Sequence, residues 1–267
     1  MAKITKVTRQ KNLKRHRYNI FLDGKFAFGV DEAVLVKYHL LKGAELDQDQ
    51  IKMITSFDQQ NTAYLRALDY LSYGLRTAAE VEKKLADLDT PAEMVPPVMA
   101  RLHQQGYVND GNYAQSYVRT EMRLDLKGPG FIRRHLKQKQ VADNLIEDSL
   151  VLFTPDQQLI NATKLAQKAF RRQGRRSARQ QEERVRRNLM QNGYNSNIIQ
   201  QALTAAQPEP NPQHEADLLD REAQKAWRHY AKYKPYERKQ RLKQRLYRKG
   251  YQLDDIERWL DENVEDS

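Results

Sequence analysis

The 267-residue chain has no cysteine, which excludes disulfides and thiolate chemistry and fits a reducing, cytoplasmic setting. It has no run of eighteen apolar residues, so no membrane-spanning helix and no membrane partner are expected. Its basic N-terminal stretch, MAKITKVTRQKNLKRHR, lacks the apolar segment of a secretory signal. The six histidines (His16, His39, His103, His135, His214 and His229) stand at no metal-ligand spacing, and P-loop, nucleophile-elbow and zinc-protease motifs are missing. The acidic pairs Glu182-Glu183 and Asp254-Asp255 sit beside arginines or at a helix start. Surface charge and capping account for them better than Mg²⁺ does. No catalytic constellation, cofactor or metal is therefore expected.

Polarity and positive charge are what the chain has in abundance. Apolar residues make up 39% and charged residues 30%, with a mean hydropathy of −0.89. That is polar for one globule of this length and suits thin helical layers. The net charge of +11 is unevenly placed: +4 over 1–61, −2 over 62–110, +1 over 111–158, +7 over 159–214 and +1 over 215–267. A basic balance points to a polyanionic partner such as nucleic acid, or to a solvated helical face.

The first sixty residues alternate. Tyr18, Ile20 and Leu22 precede Asp23-Gly24, and Phe26, Phe28 and Val30 follow it. This predicts a β-hairpin, joined by a strand from KITKVT. Asp31 is expected to cap a short helix through Leu40, and Asp47-x-x-Gln50 to open another.

From residue 61 the period is helical, and the text repeats. Leu85, Leu136, Leu189 and Leu246 fall in one column, spaced 51, 53 and 57 residues apart. Ten residues after the last three anchors lie Ile146, Ile199 and Ile256, and fourteen after them Leu150, Leu203 and Leu260. The first unit obeys the same rule with a three-residue insertion, giving Val98 and Leu102. Another apolar helix precedes each anchor helix, so every unit is a three-helix repeat. Units three and four are the most alike, sharing Gly193-Tyr194 and Gly250-Tyr251, where glycine suits a left-handed helix end. The fold expected is mainly α, with tandem three-helix repeats forming an elongated curved array behind a small N-terminal module containing a β-hairpin. Expected boundaries are 1–60 for that module, then 61–110, 111–158 and 159–207. A proline-rich linker over 208–214 and a fourth repeat over 215–267 complete the chain.

Two basic clusters stand out. FRRQGRRSARQQEERVRR supplies Arg171, Arg172, Arg175, Arg176, Arg179, Arg184, Arg186 and Arg187, with Gly174 at the expected turn between helices. Seven of these eight are expected to lie outside i,i+4 pairing with Glu182 and Glu183. Arginine in place of lysine suits bidentate contact with carboxylate or phosphate. The second cluster, YAKYKPYERKQRLKQRLYRKG, contributes Lys239, Arg241, Lys243, Arg245 and Arg248 among nine basic residues. It interleaves Tyr230, Tyr233, Tyr236 and Tyr247, which either stack on bases or, for Tyr247 and Tyr251, pack on the repeat core.

The stretch ALDYLSYGLRTAAEVEKKL, read with LHQQGYVNDGNYAQSYVRT, closely resembles the RecX regulatory protein family. The resemblance is carried by Ala67-Leu68 with Leu71, then Arg76, Thr77, Glu80-Val81 and Lys84-Leu85. It continues through Leu102, Gly106, Tyr107 and Asp110 to Tyr113-Ala114 and Tyr117-Val118. Gly128, Ile132-Leu136 and Ile146-Leu150 match a second family element. Gln140 departs from it, standing where members often have glycine. The resemblance spans 61–263, and the N-terminal hairpin looks like the extension of longer members from Gram-positive bacteria. It implies a non-enzymatic, monomeric modulator of the RecA recombinase in DNA repair, recombination and the SOS response. Such a protein lies in the groove of the RecA–DNA filament and damps filament extension, ATP hydrolysis, strand exchange and co-protease action. The two basic clusters would face acidic RecA surface or DNA phosphates, with weaker, salt-dependent binding to single- and double-stranded DNA. The alternative is an independent DNA-binding protein with helix-turn-helix-like units. A general protein-binding scaffold ranks third and a nuclease last.

Overall fold

The computed structural model describes residues 1–11, 16–171, 176–209 and 211–264. Alternating apolar residues at the N-terminus build a four-stranded antiparallel sheet in the order β3-β2-β1-β4. Its strands are β1 (Ala2–Arg9), β2 (Arg17–Leu22), β3 (Lys25–Asp31) and the two-residue β4 (Glu45–Leu46). Asp23 and Gly24 both have positive φ (47° and 82°), the conformation a two-residue hairpin turn requires. Asp31 caps α1 (Glu32–Lys37) by accepting the Ala33 N–H. The helix ends earlier than expected, because His39 adopts a positive φ of 49°.

Asp47 and Gln50 form the expected capping box at the start of α2 (Gln48–Leu71). The boundary expected at residue 60 falls inside this unbroken helix. The physical reason is that α2 serves two cores. Ile54 packs with Ile20, Phe28 and Val30 of the sheet. Ala63, Tyr64 and Ala67 pack with α3 (Ala78–Ala86) and α4 (Val95–Gln104) through Val81, Leu85, Val98 and Leu102. The three-residue insertion of the first repeat is a 3₁₀ turn, Ala92–Met94, between α3 and α4.

Further helices follow in threes: α5 (Asp110–Thr120), α6 (Pro129–Gln138) and α7 (Asp143–Leu150); α8 (Pro155–Phe170), α9 (Ala178–Gln191) and α10 (Ser196–Ala206); α11 (Pro212–His229), α12 (Pro235–Arg248) and α13 (Leu253–Asn263). A π-helical turn, Glu121–Asp125, extends α5 and had no sequence signal. All four anchor leucines are fully buried, and the residues in the two following columns are buried with them. Pro212 occupies the first turn of α11 behind the Asn211 cap, so the linker is shorter than expected. The chain divides into two compact units, Met1–Ala114 with Lys137–Leu145 and Gln115–Leu136 with Ile146–Ser267, so the second triplet contributes to both.

Within each unit, successive repeats interlock in the same way. Four residues after each anchor the backbone turns left-handed, at Asp89 (φ 54°), Gln140 (59°), Gly193 (88°) and Gly250 (91°). The last three of these turns each seat on the N-terminus of the preceding repeat's anchor helix. Lys139, before Gln140, pairs with Glu80 of the α3 capping box at 2.5 Å. Gly193 meets the Gly128-Pro129-Gly130 start of α6, where Gly128 N–H donates to Asn192 O (2.7 Å) and Gly130 N–H to Gly193 O (2.9 Å). Lys249, before Gly250, accepts at its carbonyl from the Ser177 hydroxyl that caps α9. The first-turn N–H groups of α3 and α9 are also matched. Ala78 donates to Asp110 and Ala178 to Glu215, each an acid on the first helix of the next repeat.

Candidate functional site

The positive charge of the C-terminal unit sits on α9 and α12, held outward because Val185 and Leu189, and Leu242 and Leu246, take the buried faces. Arg172, Gly174 and Arg175 lie outside the described residues. Arg171, the C-cap of α8, and Arg176 are exposed, the latter lining a cleft of about 170 Å³ with Phe170, Gln181 and Glu215. The expectation that seven of the eight arginines escape i,i+4 pairing is corrected. Arg179 Nε lies 3.7 Å from Glu183 and Arg186 Nη2 lies 3.1 Å from Glu182, because the helix brings residues four apart onto one face. Arg184 and Arg187 are exposed.

Arg186 also bonds Gln200, and that contact belongs to a series. The residue three before the anchor reaches the residue eleven after it in Arg133–Glu147, Arg186–Gln200 and Lys243–Glu257. Arg186 and Lys243 thus staple the second helix of a repeat to its third. In the α12 cluster, Arg241 is bonded to Glu237 at 2.8 Å and lies over the Tyr233 ring at 4.1 Å. Arg245 Nε is buried without a hydrogen-bond partner, and Lys239 is half-buried. Arg248 is exposed.

The tyrosines divide. Tyr251 is buried in the repeat core, where burial first, then Glu215 and Glu222, pushes its hydroxyl up to about 12 and keeps it neutral. Tyr230 packs against that core and meets Tyr233 edge-on at 6.0 Å, while Tyr236 is exposed. Tyr247, expected as either core or contact residue, is 51% exposed.

The tertiary structure brings the two clusters together. Arg179, Gln180 and Glu183 of α9 line one cleft of about 220 Å³ with Tyr247, Arg248 and Gly250 of α12 and its end. The repeat interlock creates it: a Cβ on Gly250 would stand 2.9 Å from Arg179 Cβ and 3.0 Å from Ser177 Oγ. Sequence reading put Arg179 and Arg248 in separate clusters and had no signal that they share a cleft. It also missed the ion pair between Arg17 and the buried Asp58 (2.7 Å), which ties β2 to α2. Among the described residues no group of three or more histidines and carboxylates could hold a metal ion, and no helix is long and apolar enough to cross a membrane.

Models of the RecX regulatory protein domains match almost the whole chain. The N-terminal domain model covers residues 2–47, the first three-helix domain 63–102 and the second 109–150. The third three-helix domain matches twice, at 156–203 and 213–260. The chain belongs to the RecX family. The double match agrees with the close likeness of the third and fourth repeats. Among relatives, the Regulatory protein RecX of Limosilactobacillus reuteri (strain DSM 20016) is 48% identical over 98% of both chains. That of Bacillus pumilus (strain SAFR-032) is 38% identical over 98% of this chain and 99% of its own. A crystal structure of a regulatory protein RecX aligns with a TM-score of 0.64 at 48% identity, covering 75% of this chain and 98% of the other. The RecX structure from Lactobacillus salivarius aligns at 0.53 with 36% identity, covering 56% and 97%.

Proposed function

We propose that this RecX-family protein is a cytoplasmic, non-enzymatic regulator of RecA. It docks in the groove of the RecA–DNA filament and limits filament extension, ATP hydrolysis, strand exchange and co-protease action. The observation that carries the reading is the cleft shared by Arg179, Tyr247 and Arg248. It joins two guanidinium-bearing helices of successive repeats beside an exposed aromatic ring, and Arg179 exchanges its long, exposed pair with Glu183 (3.7 Å) for a phosphate or carboxylate of the partner. Relatives that share nearly the whole length are named regulatory proteins, in keeping with a binding role. Repeated helical modules also offer a filament several weak contacts at once, which add as avidity.

The test is ATP hydrolysis by preformed RecA–single-stranded DNA filaments. The wild type is expected to suppress it at substoichiometric amounts, and unchanged hydrolysis at equimolar protein overturns the proposal. The pair Arg179→Ala and Arg248→Ala is expected to lose most of the suppression with little change in melting temperature. Arg186→Ala, a staple on the same helix, should retain suppression and cost under about 1 kcal/mol of stability. The opposite ranking would remove the cleft from the interface.

A further inference from the structure

The N-terminal sheet has a second face that no core absorbs. Val7, Ile20 and Phe28 are cross-strand partners on the inner face, which packs on α1 and α2. Lys6, Phe21 and Phe26 are the neighbouring row, paired across β1, β2 and β3: pleating turns Lys6 and Phe21 to the opposite side, and the register shift between Ile20 and Phe21, which leaves one extra residue in β3, brings Phe26 round with them. The two rings meet edge to face with centroids 5.9 Å apart, and Lys6 Nζ stands 5.7 Å from the Phe21 centroid. Phe26 is 60% exposed, on an edge strand. The next row on this face is polar: Thr8 opposite Asn19, and Asn19 opposite Gly29. Asn19 accepts a 2.7 Å hydrogen bond from Gln10 Nε2. That amide sits where a side chain at 29 would project, since a Cβ there would lie 2.8 Å from it.

Charge complementarity selects the partner. Lys3 and Lys6 are exposed on this face, Arg9 and Lys25 are exposed at the strand ends in rows that continue the inner face, Glu45 stands opposite Lys3, and the carboxylate of Asp23 in the hairpin turn accepts the Lys3 N–H. An exposed ring braced edge to face by a half-buried one, beside an ammonium and a pair of amides, supplies the parts needed to stack a base, neutralise a phosphate and meet base edges. An acidic protein surface would use the cations but gain nothing specific from the exposed Phe26 ring.

We propose that the outer face of the N-terminal sheet is a stacking platform for single-stranded nucleic acid, with Phe26 taking a base, Phe21 bracing that ring and Lys6 taking a phosphate. The proposal is independent of the arginine cleft and of the reading as a RecA regulator. The full chain is titrated with a short oligothymidine in low salt. Phe26→Trp, read as the difference from wild type so that any response of Trp227 and Trp259 cancels, is expected to keep wild-type affinity and to show quenching of the new indole. Phe26→Ala should weaken binding about tenfold, the worth of one stacked base, with unchanged far-ultraviolet circular dichroism. Heparin, a polyanion without bases, should leave the emission of the introduced indole unchanged. Absence of oligothymidine quenching, equal quenching by heparin, or Phe26→Ala binding within about twofold of wild type would each overturn the platform. The last two would leave an electrostatic patch suited to an acidic protein.

Discussion

A single backbone sign recurs at the residue four after each anchor leucine, and the side chain there decides its cost. At Gly193 the left-handed turn is free of strain, and no larger residue fits, since a Cβ would fall 2.1 Å from Phe131 N. Gly193→Ala is expected to lower the melting temperature steeply, beyond the roughly 1–2 kcal/mol of left-handed strain alone, because α6 must move to relieve the contact. At Gln140 that strain is already present. Gln140→Gly should be stabilising by about 0.5–1 kcal/mol, the strain relieved less the extra freedom glycine has when unfolded; a denaturant melt measures it. The glycines were legible as helix ends in the sequence. Gln140 was marked only by standing where RecX relatives often have glycine, and Asp89 was not marked at all, because a non-glycine residue gives little local sign of a positive φ.

Glu80 offers a second test at this scale. Burial raises its pKa, but the Lys139 ammonium, the Thr77 N–H and the charges of Lys139 and Arg76 outweigh that, leaving it below the ordinary 4.5. Its hydrogen bond to Glu80 raises Lys139 above 10.5. A depressed acid contributes stability above its unfolded pKa and loses it as pH falls through the folded one. A raised base contributes below its unfolded pKa and loses it as pH climbs through the folded one. The pair should therefore stabilise the interlock steadily between about pH 5 and 10 and fade outside that window. The melting difference between wild type and Glu80→Gln should be constant near neutrality and shrink below pH 4.5.

At the scale of elements, local chemistry was readable. The capping boxes at Asp47 and Thr77 and the hairpin turn at Asp23-Gly24 formed as written, because caps and turns are set by residues three or four apart. Where one core stops and the next begins was not readable within α2. The helix carries apolar residues throughout, and only packing shows that Ile54 and Ala67 serve different cores. Asp58 lies between them, accepting from Arg17 and from the Asp31 N–H, both at 2.7 Å. Asp58→Ala leaves two donors unpaired and is expected to cost about 2–3 kcal/mol. Urea unfolding of the full chain would show it as an earlier transition, and a loss below about 0.5 kcal/mol would mean that water replaces the carboxylate.

For the whole molecule, charge arithmetic located the positive region in the third repeat but overstated how much of it is available. Arg186 and Lys243 are staples within repeats, and Arg241 is held by Glu237, so fewer cations face a partner than the sequence count suggests. If about five phosphates are neutralised on duplex DNA, the logarithm of the binding constant should fall with the logarithm of salt at a slope near −4.5. Arg179→Ala with Arg248→Ala should flatten that slope by close to two. A slope independent of salt would exclude phosphate contact.

The sequence by itself determined the repeat frame, the caps, the hairpin and the family, because each rests on periodicity or on contacts within a few residues. Only the tertiary structure decided which charges are free and which are spent. Lys243 finds Glu257 fourteen residues away, and Ser177 finds the carbonyl of Lys249 seventy-two residues away. That second contact sets Arg179 beside Tyr247 and Arg248. Pairing at such separations depends on how repeats seat on one another, which no local pattern encodes.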